Sequence, residues 1–182
     1  TRLRPTYVKL GQFMATRPDV VGIAIARDLE SLQDRMPPFS QAEAVATIER
    51  AFGRPIGEVY ASFGNAVAAA SIAQVHRAQV KTPDGLKAVA VKVLRPGIER
   101  RFRIDQDAFA FAAEKAESLS AEARRLRLVE TAETLRRSMA LEMDLRLEAA
   151  ALSEMAENTQ ADPDFRVPSI DWDRTTKEVL TL

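Results

Sequence analysis

With 182 residues, 46% of them hydrophobic and 29% charged, the chain can bury a core of its own and is not a disordered tract. Its 26 basic and 26 acidic residues cancel, so no whole-molecule field draws it to nucleic acid. The absence of cysteine removes disulfides and thiolate metal sites, and a single histidine, His76, removes a multi-histidine site.

In chain order, residues 1–62 read as helical. Pro5 suits a first helical turn, with Tyr7, Val8, Leu10, Phe13 and Met14 as the apolar face behind it. Arg17-Pro18-Asp19 breaks this helix, and Val20 to Leu32 resumes one. Met36-Pro37-Pro38-Phe39 is a rigid link. Ser40-Gln41-Ala42-Glu43 then has the form of a capping box, opening a helix that ends near Gly53.

From Ala66 the pattern changes. Val67 to Val80 and Leu86 to Leu94 read as two strands joined by Thr82-Pro83-Asp84-Gly85, whose proline and glycine suit a type I turn with a glycine bulge. Arg95-Pro96-Gly97 ends the second strand. Ile98 to Ser118 reads as a charged amphipathic helix, and a longer one as running from about Ala121 to Asn158. Arg166 to Trp172 and Lys177 to Leu182 predict a second hairpin. The fold class expected is α+β.

No run approaches the ~20 apolar residues of a membrane helix. The best, Val20 to Ala26, is far shorter, and no signal peptide is visible. The start at Thr1, and a last strand with nothing to pair against, read as cut ends, so an excerpt of a longer protein is expected.

Val89-Ala90-Val91-Lys92-Val93 places one lysine in an apolar strand, with Ala90 and Leu94 as its same-face neighbours. Two readings are open. Lys92 holds a nucleotide phosphate and is positioned by a helix glutamate, or it snorkels to solvent. Before it lies Ala68-Ala69-Ala70-Ser71, where kinases carry glycines that let backbone N–H groups approach phosphates. Alanine disfavours positive φ, so such a loop is stiffer; in a chain this rich in alanine, chance or plain packing is the plainer reading of the cluster.

In the long helix, spacing pairs Glu142 with Arg146 and stacks Asp144 under Glu148, a like-charge pair that a cation such as Lys92 would relieve. An exposed, charge-laced helix is the plainer reading. Lys9-Leu10-Gly11-Gln12 puts a glycine inside an amphipathic helix at a cost of roughly 1 kcal/mol, which close backbone approach would explain, though a helix that tolerates one glycine is the plainer reading. His76 reads as structural. The groups Arg100, Arg101, Arg103 and Arg124, Arg125, Arg127 are interleaved with acids and read as solvated faces, with contact to anionic lipid headgroups left open.

In order, Lys9-x-Gly11-Gln12, Ala68-Ala69-Ala70-Ser71, Val89-Ala90-Val91-Lys92 and Glu142-x-Asp144 followed by Glu148 resemble the UbiB/ABC1 family of atypical kinases. Thr16-Arg17-Pro18-Asp19, Leu32-Gln33-Asp34-Arg35, Ser71-Ile72-Ala73-Gln74-Val75-His76 and Val93-Leu94-Arg95-Pro96-Gly97 agree with it. The resemblance implies a helical family-specific extension over 1–62 and a kinase-like N-lobe over 63–182, truncated near the hinge.

It implies that Lys92 contacts nucleotide phosphates and pairs with Glu148 on the helix equivalent to kinase αC. Ala68 to Ser71 would form an alanine loop in place of the glycine-rich one. Lys9, Gly11 and Gln12 would cover the pocket where ordinary kinases bind a protein substrate, and Glu142 and Asp144 would meet them. The implied ligand is ATP or ADP with Mg²⁺, whose ligands, with the catalytic loop, fall outside this stretch; negligible turnover is therefore expected of it alone. The implied role is an atypical kinase or ATPase supporting ubiquinone biosynthesis, cytoplasmic and peripheral to the inner membrane, with quinone-biosynthesis proteins as partners. The alternative is a non-catalytic, pseudokinase-like scaffold binding lipid or quinone-pathway proteins.

Overall fold

The computed structural model describes residues 5–30 and 36–182; the Leu32 to Arg35 motif lies outside them. The chain forms two compact units, one comprising the helices before Met36 together with Gly97–Ala140, the other Pro37–Pro96 with Leu141–Leu182.

In the first unit, α1 (Pro5–Ala15) starts at proline as expected, but of its predicted apolar face only Val8 is buried, beside Thr6 and Gly11. Tyr7 stays on the surface, its ring edge-on to Phe109 at 5.8 Å. The helix expected from Val20 is two short ones, α2 (Pro18–Val21) and α3 (Ile23–Glu30), because Gly22 takes φ 84° between them. Further on, α6 (Ile98–Leu119) follows Gly97, which takes the left-handed φ of 66° that glycine adopts without strain.

The single long helix expected over 121–158 is three. α7 (Ala121–Leu126) ends where Arg127 turns left-handed at φ 53°, and α8 (Leu128–Glu142) follows. α9 (Leu145–Asn158), which belongs to the second unit, begins afresh with Asp144 as its N-cap. Neither break carries a glycine or proline, so periodicity runs through them.

The second unit opens with α4 (Gln41–Phe52). The Ser40 side chain accepts from the Glu43 N–H while Glu43 accepts from the Ser40 N–H, and Gly53 closes the helix at φ 66°, all as predicted. Ser40→Ala is expected to cost about 1 kcal/mol, read as a lower midpoint in chemical denaturation. A short α5 (Ile56–Val59) leads into an antiparallel sheet ordered β1-β2-β3-β4.

The stretch Val67 to Val80, expected as one strand, is a hairpin: β1 (Ser62–Ala69) turns back into β2 (Ala73–Thr82). β2 then pairs with β3 (Gly85–Leu94) across the predicted turn, where Thr82 faces Gly85 and the glycine takes φ 117°. The second predicted hairpin does not form. Trp172–Arg174 is a 3₁₀ turn, and β4 (Val179–Thr181) pairs with β3, so the last strand does have a partner.

One face of the sheet buries Val80, Val89, Val91, Val93 and Val179 against Ile48, Val59 and Tyr60. Alternation along β2 and β3 leaves the opposite face to carry Val75, Ala90 and Lys92. The packing thus places α4 and α5 with the sheet, on the far side of the residue 62/63 boundary that the sequence offers.

Candidate functional site

Lys92 sits near one end of β3, two residues before Leu94, where β2 emerges from its turn at Ala73. Strand register sets Ala68, Val75, Lys92 and Leu180 in one row across the four strands. Cross-strand partners share a face, so the row flanks the lysine with Val75 and Leu180 and puts the small Ala68 beyond Val75. At ~4.8 Å between strands, Ala68 lies about 10 Å from Lys92 along this row.

Glu148 comes to the lysine from α9. That helix is fixed by its own start: Asp144 accepts from the Arg146 N–H, Leu145 N–H donates to the Lys177 carbonyl at 3.0 Å, and Leu145 and Ala149 are buried. Glu148 falls in the first turn, where the helix dipole favours a carboxylate. The Lys92 Nζ donates to both carboxylate oxygens, at 2.8 and 2.7 Å. Their side chains are 27% and 41% exposed, so water screens the pair and it contributes less than ~1 kcal/mol to stability. A strand lysine held by two oxygens yet open to solvent remains reachable by an anionic ligand.

The other charges on this helix are arranged differently from the expectation. Glu142 is the last residue of α8, so it has no continuous helix to share with Arg146. Arg146 pairs instead with Asp144, Nη2 to Oδ2 at 2.6 Å, and its hydrogen bonds hold the Asp144 carboxyl below the usual carboxylate range against the opposing pull of burial. Asp144 and Glu148 each have their own cation rather than stacking. Lys9, Gly11 and Gln12 all lie on α1, with Gly11 buried and the other two half-buried.

Of the alanine cluster, Ala68 and Ala69 end β1, and Ala70 and Ser71 form the turn into β2, closed by Ala70 N–H donating to the Ala73 carbonyl at 2.8 Å. The cluster therefore occupies the turn between the first two strands, at the same end of the sheet as Lys92. Ser71 is fully buried.

His76 is structural. Its ring is fully buried, stacks on Phe63 at 4.5 Å, and lies between the Gly64 carbonyl at 2.8 Å and Gln74 Nε2 at 2.8 Å. Gln74 Nε2 can only donate, so His76 Nε2 accepts and the proton resides on Nδ1, directed at Gly64. Burial pushes its pKa below the usual histidine value, opposed by the bond to Gly64. A depressed folded pKa means the unfolded chain binds the extra proton, so stability is complete above about pH 6.5 and is lost as pH falls below it. The denaturation midpoint is expected to drop between about pH 7 and 5.5, and His76→Asn, which keeps a donor near Gly64, should flatten that slope.

Sequence reasoning missed Arg95, whose guanidinium holds the carbonyls of Ala70 and Pro37. Its only signal was its place in Val93-Leu94-Arg95-Pro96-Gly97. Also missed were the row position of Leu180 and the Arg50–Glu178 pair at 3.0 Å between α4 and the residue before β4.

The profile of the ABC1 atypical kinase-like domain matches residues 31–182. The chain belongs to that family. Among ABC1 relatives, it is 41% identical over 181 residues to a protein named "probable protein kinase UbiB" from Marinobacter nauticus, covering 99% of this chain and 32% of the relative. Proteins of the same name from Azotobacter vinelandii and Pseudomonas putida are 40% and 39% identical over the same length. The chain spans about a third of the length of these UbiB relatives. The antiparallel sheet with a helix ion-paired to its third strand is consistent with a kinase-like N-lobe.

Proposed function

We propose that this chain supplies the adenine-nucleotide-binding N-lobe of an atypical kinase or ATPase, with Lys92 on the phosphates and Glu148 holding the lysine in place. The observation that carries this reading is the bidentate Lys92–Glu148 contact, 2.7 and 2.8 Å, at the end of the sheet where the alanine turn lies. An extended, half-exposed ammonium suits a phosphate oxygen as a point charge. The small side chains of Ala68 and Ala90 leave the shared face flat enough for a planar base.

The chain's own residues bind and orient. Bound nucleotide would supply the phosphoanhydride, and Lys92 would fix its phosphates. Among the described residues no group of three or more His, Cys, Asp or Glu is placed to hold a metal ion. Among them, too, no helix is long and apolar enough to cross a membrane. In the whole protein, the activity would serve ubiquinone biosynthesis, at a membrane surface and beside quinone-pathway proteins.

The test is titration of ADP and ATP, with Mg²⁺, into the full-length protein, followed by a turnover assay. Binding with turnover supports the enzyme reading. Binding without turnover replaces it by the nucleotide-regulated scaffold, and absence of binding removes the nucleotide.

A further inference from the structure

The alanine turn ought to be loose. β1 is the edge strand of the sheet, and its register with β2 shifts twice, between Phe63 and Ala66 and again between Ala66 and Ala68. A twice-bulged edge strand has few ladder bonds with which to hold the turn it carries. Yet the turn is fixed from behind, by a residue the nucleotide reading does not use.

Arg95 donates from Nε and Nη2 to the Ala70 carbonyl at 3.0 and 2.8 Å, and from Nη2 to the Pro37 carbonyl at 2.9 Å. Its guanidinium carbon lies 5.5 Å from the centre of the Phe39 ring. Its own backbone is anchored, since Arg95 N–H donates to the Ile72 carbonyl at 2.8 Å. Phe39 is gripped in turn by Gln74, which accepts from the Phe39 N–H at 3.0 Å and donates to its carbonyl at 3.3 Å. From Gln74 the chain of bonds continues through His76 to the Gly64 carbonyl inside the bulged strand. Both ends of the strand-and-turn are thereby tied to one short segment, Pro37–Phe39.

We infer that Arg95 is a positioning residue for the alanine turn, clasping it to Pro37–Phe39 so that its backbone is preorganised for a phosphate-bearing ligand. In a trans peptide the carbonyl and the following N–H point opposite ways. Holding the Ala70 carbonyl toward Arg95 therefore fixes the plane of the Ala70–Ser71 peptide and with it the path of the turn, and the backbone of such turns is what approaches phosphates. A glycine-rich loop needs to close flexibly; an alanine loop, denied positive φ, is better served by being held ready. The planar fork reaches two carbonyls at once, which an ammonium cannot do with the same geometry. This inference rests on the nucleotide reading of the turn.

Two readouts separate the clasp from that reading. In nucleotide-free, full-length protein, Arg95→Met keeps the stem and removes the donors. Amide exchange over Ala68–Ala73 is expected to rise about tenfold while β3 keeps its wild-type rates. ADP affinity is expected to fall about tenfold, because the turn must then be ordered at the moment of binding, and Arg95→Lys should recover part of both losses. Unchanged exchange in both variants, or a loosened turn with unchanged ADP affinity, overturns the inference. A loosened turn in a protein whose wild type ignores ADP sustains the clasp and overturns the nucleotide reading. If the methionine variant does not fold, Arg95→Lys decides: ADP binding weakened about threefold is expected from loss of the fork, and wild-type binding with wild-type exchange overturns it.

Discussion

Lys92→Ala is expected to weaken ADP and ATP binding to the full-length protein by about 10- to 150-fold, the ~1.5–3 kcal/mol typical of hydrogen bonds to a charged group. The fold should barely register the change. The lysine and Glu148 are 27% and 41% exposed, and an ion pair at that exposure contributes less than ~1 kcal/mol. Calorimetric titration beside a denaturation curve distinguishes the two effects: affinity collapses while the midpoint stays nearly put. Glu148→Gln should give a smaller loss of affinity, because the lysine survives but is no longer held. Tight binding unaffected by Lys92→Ala would put the nucleotide elsewhere.

Ile48→Ala is the substitution with the largest expected effect on stability, about 2–5 kcal/mol. Ile48 is fully buried, and it meets Val59, Tyr60 and the valines of β2, β3 and β4 in one cluster. The truncation leaves a void beneath the strand that carries Lys92. Tyr60 adds a polar tie in the same place, its hydroxyl 2.7 Å from Thr181 Oγ1, and burial first of all pushes its pKa up to about 12. Urea denaturation should show the loss in midpoint without a change of slope. A cost under ~1 kcal/mol, below the usual range for such truncations, would mean that α4 does not share the core of the sheet.

Local chemistry was legible where a residue type has one structural use. Ser40 with Glu43, Gly53, Gly85 and Gly97 all do what their types predict. Strand β3 was legible because a lysine amid valines alternates cleanly. The hairpin between β1 and β2 was not, since Ala70 and Ser71 carry no turn signal and the alanines on either side read equally well as continuous strand. Nor were the breaks at Arg127 and Asp144, which are set by packing and capping rather than by a helix breaker.

The same limit governs the site. Lys92 and Glu148 are 56 residues apart, and no periodicity links them; charge balance offered Lys92 only as one cation for the Asp144–Glu148 face, family resemblance named the pair, and the structure shows them in contact. Helical spacing actually misassigned their neighbours, giving Arg146 to Glu142 when the restart of the helix gives it to Asp144. Arg95 was invisible for a different reason: its partners are backbone carbonyls, which leave no mark on the sequence.

The most direct measurement is covalent labelling of the full-length protein with an ATP acyl-phosphate, whose activated carbonyl transfers to a lysine amine lying against the phosphates. Mass spectrometry is expected to find the label on Lys92, removed by excess ADP and by no competitor lacking phosphates. Labelling confined to other lysines, or a Lys92 label indifferent to ADP, would contradict the assignment of this strand as the phosphate-binding wall.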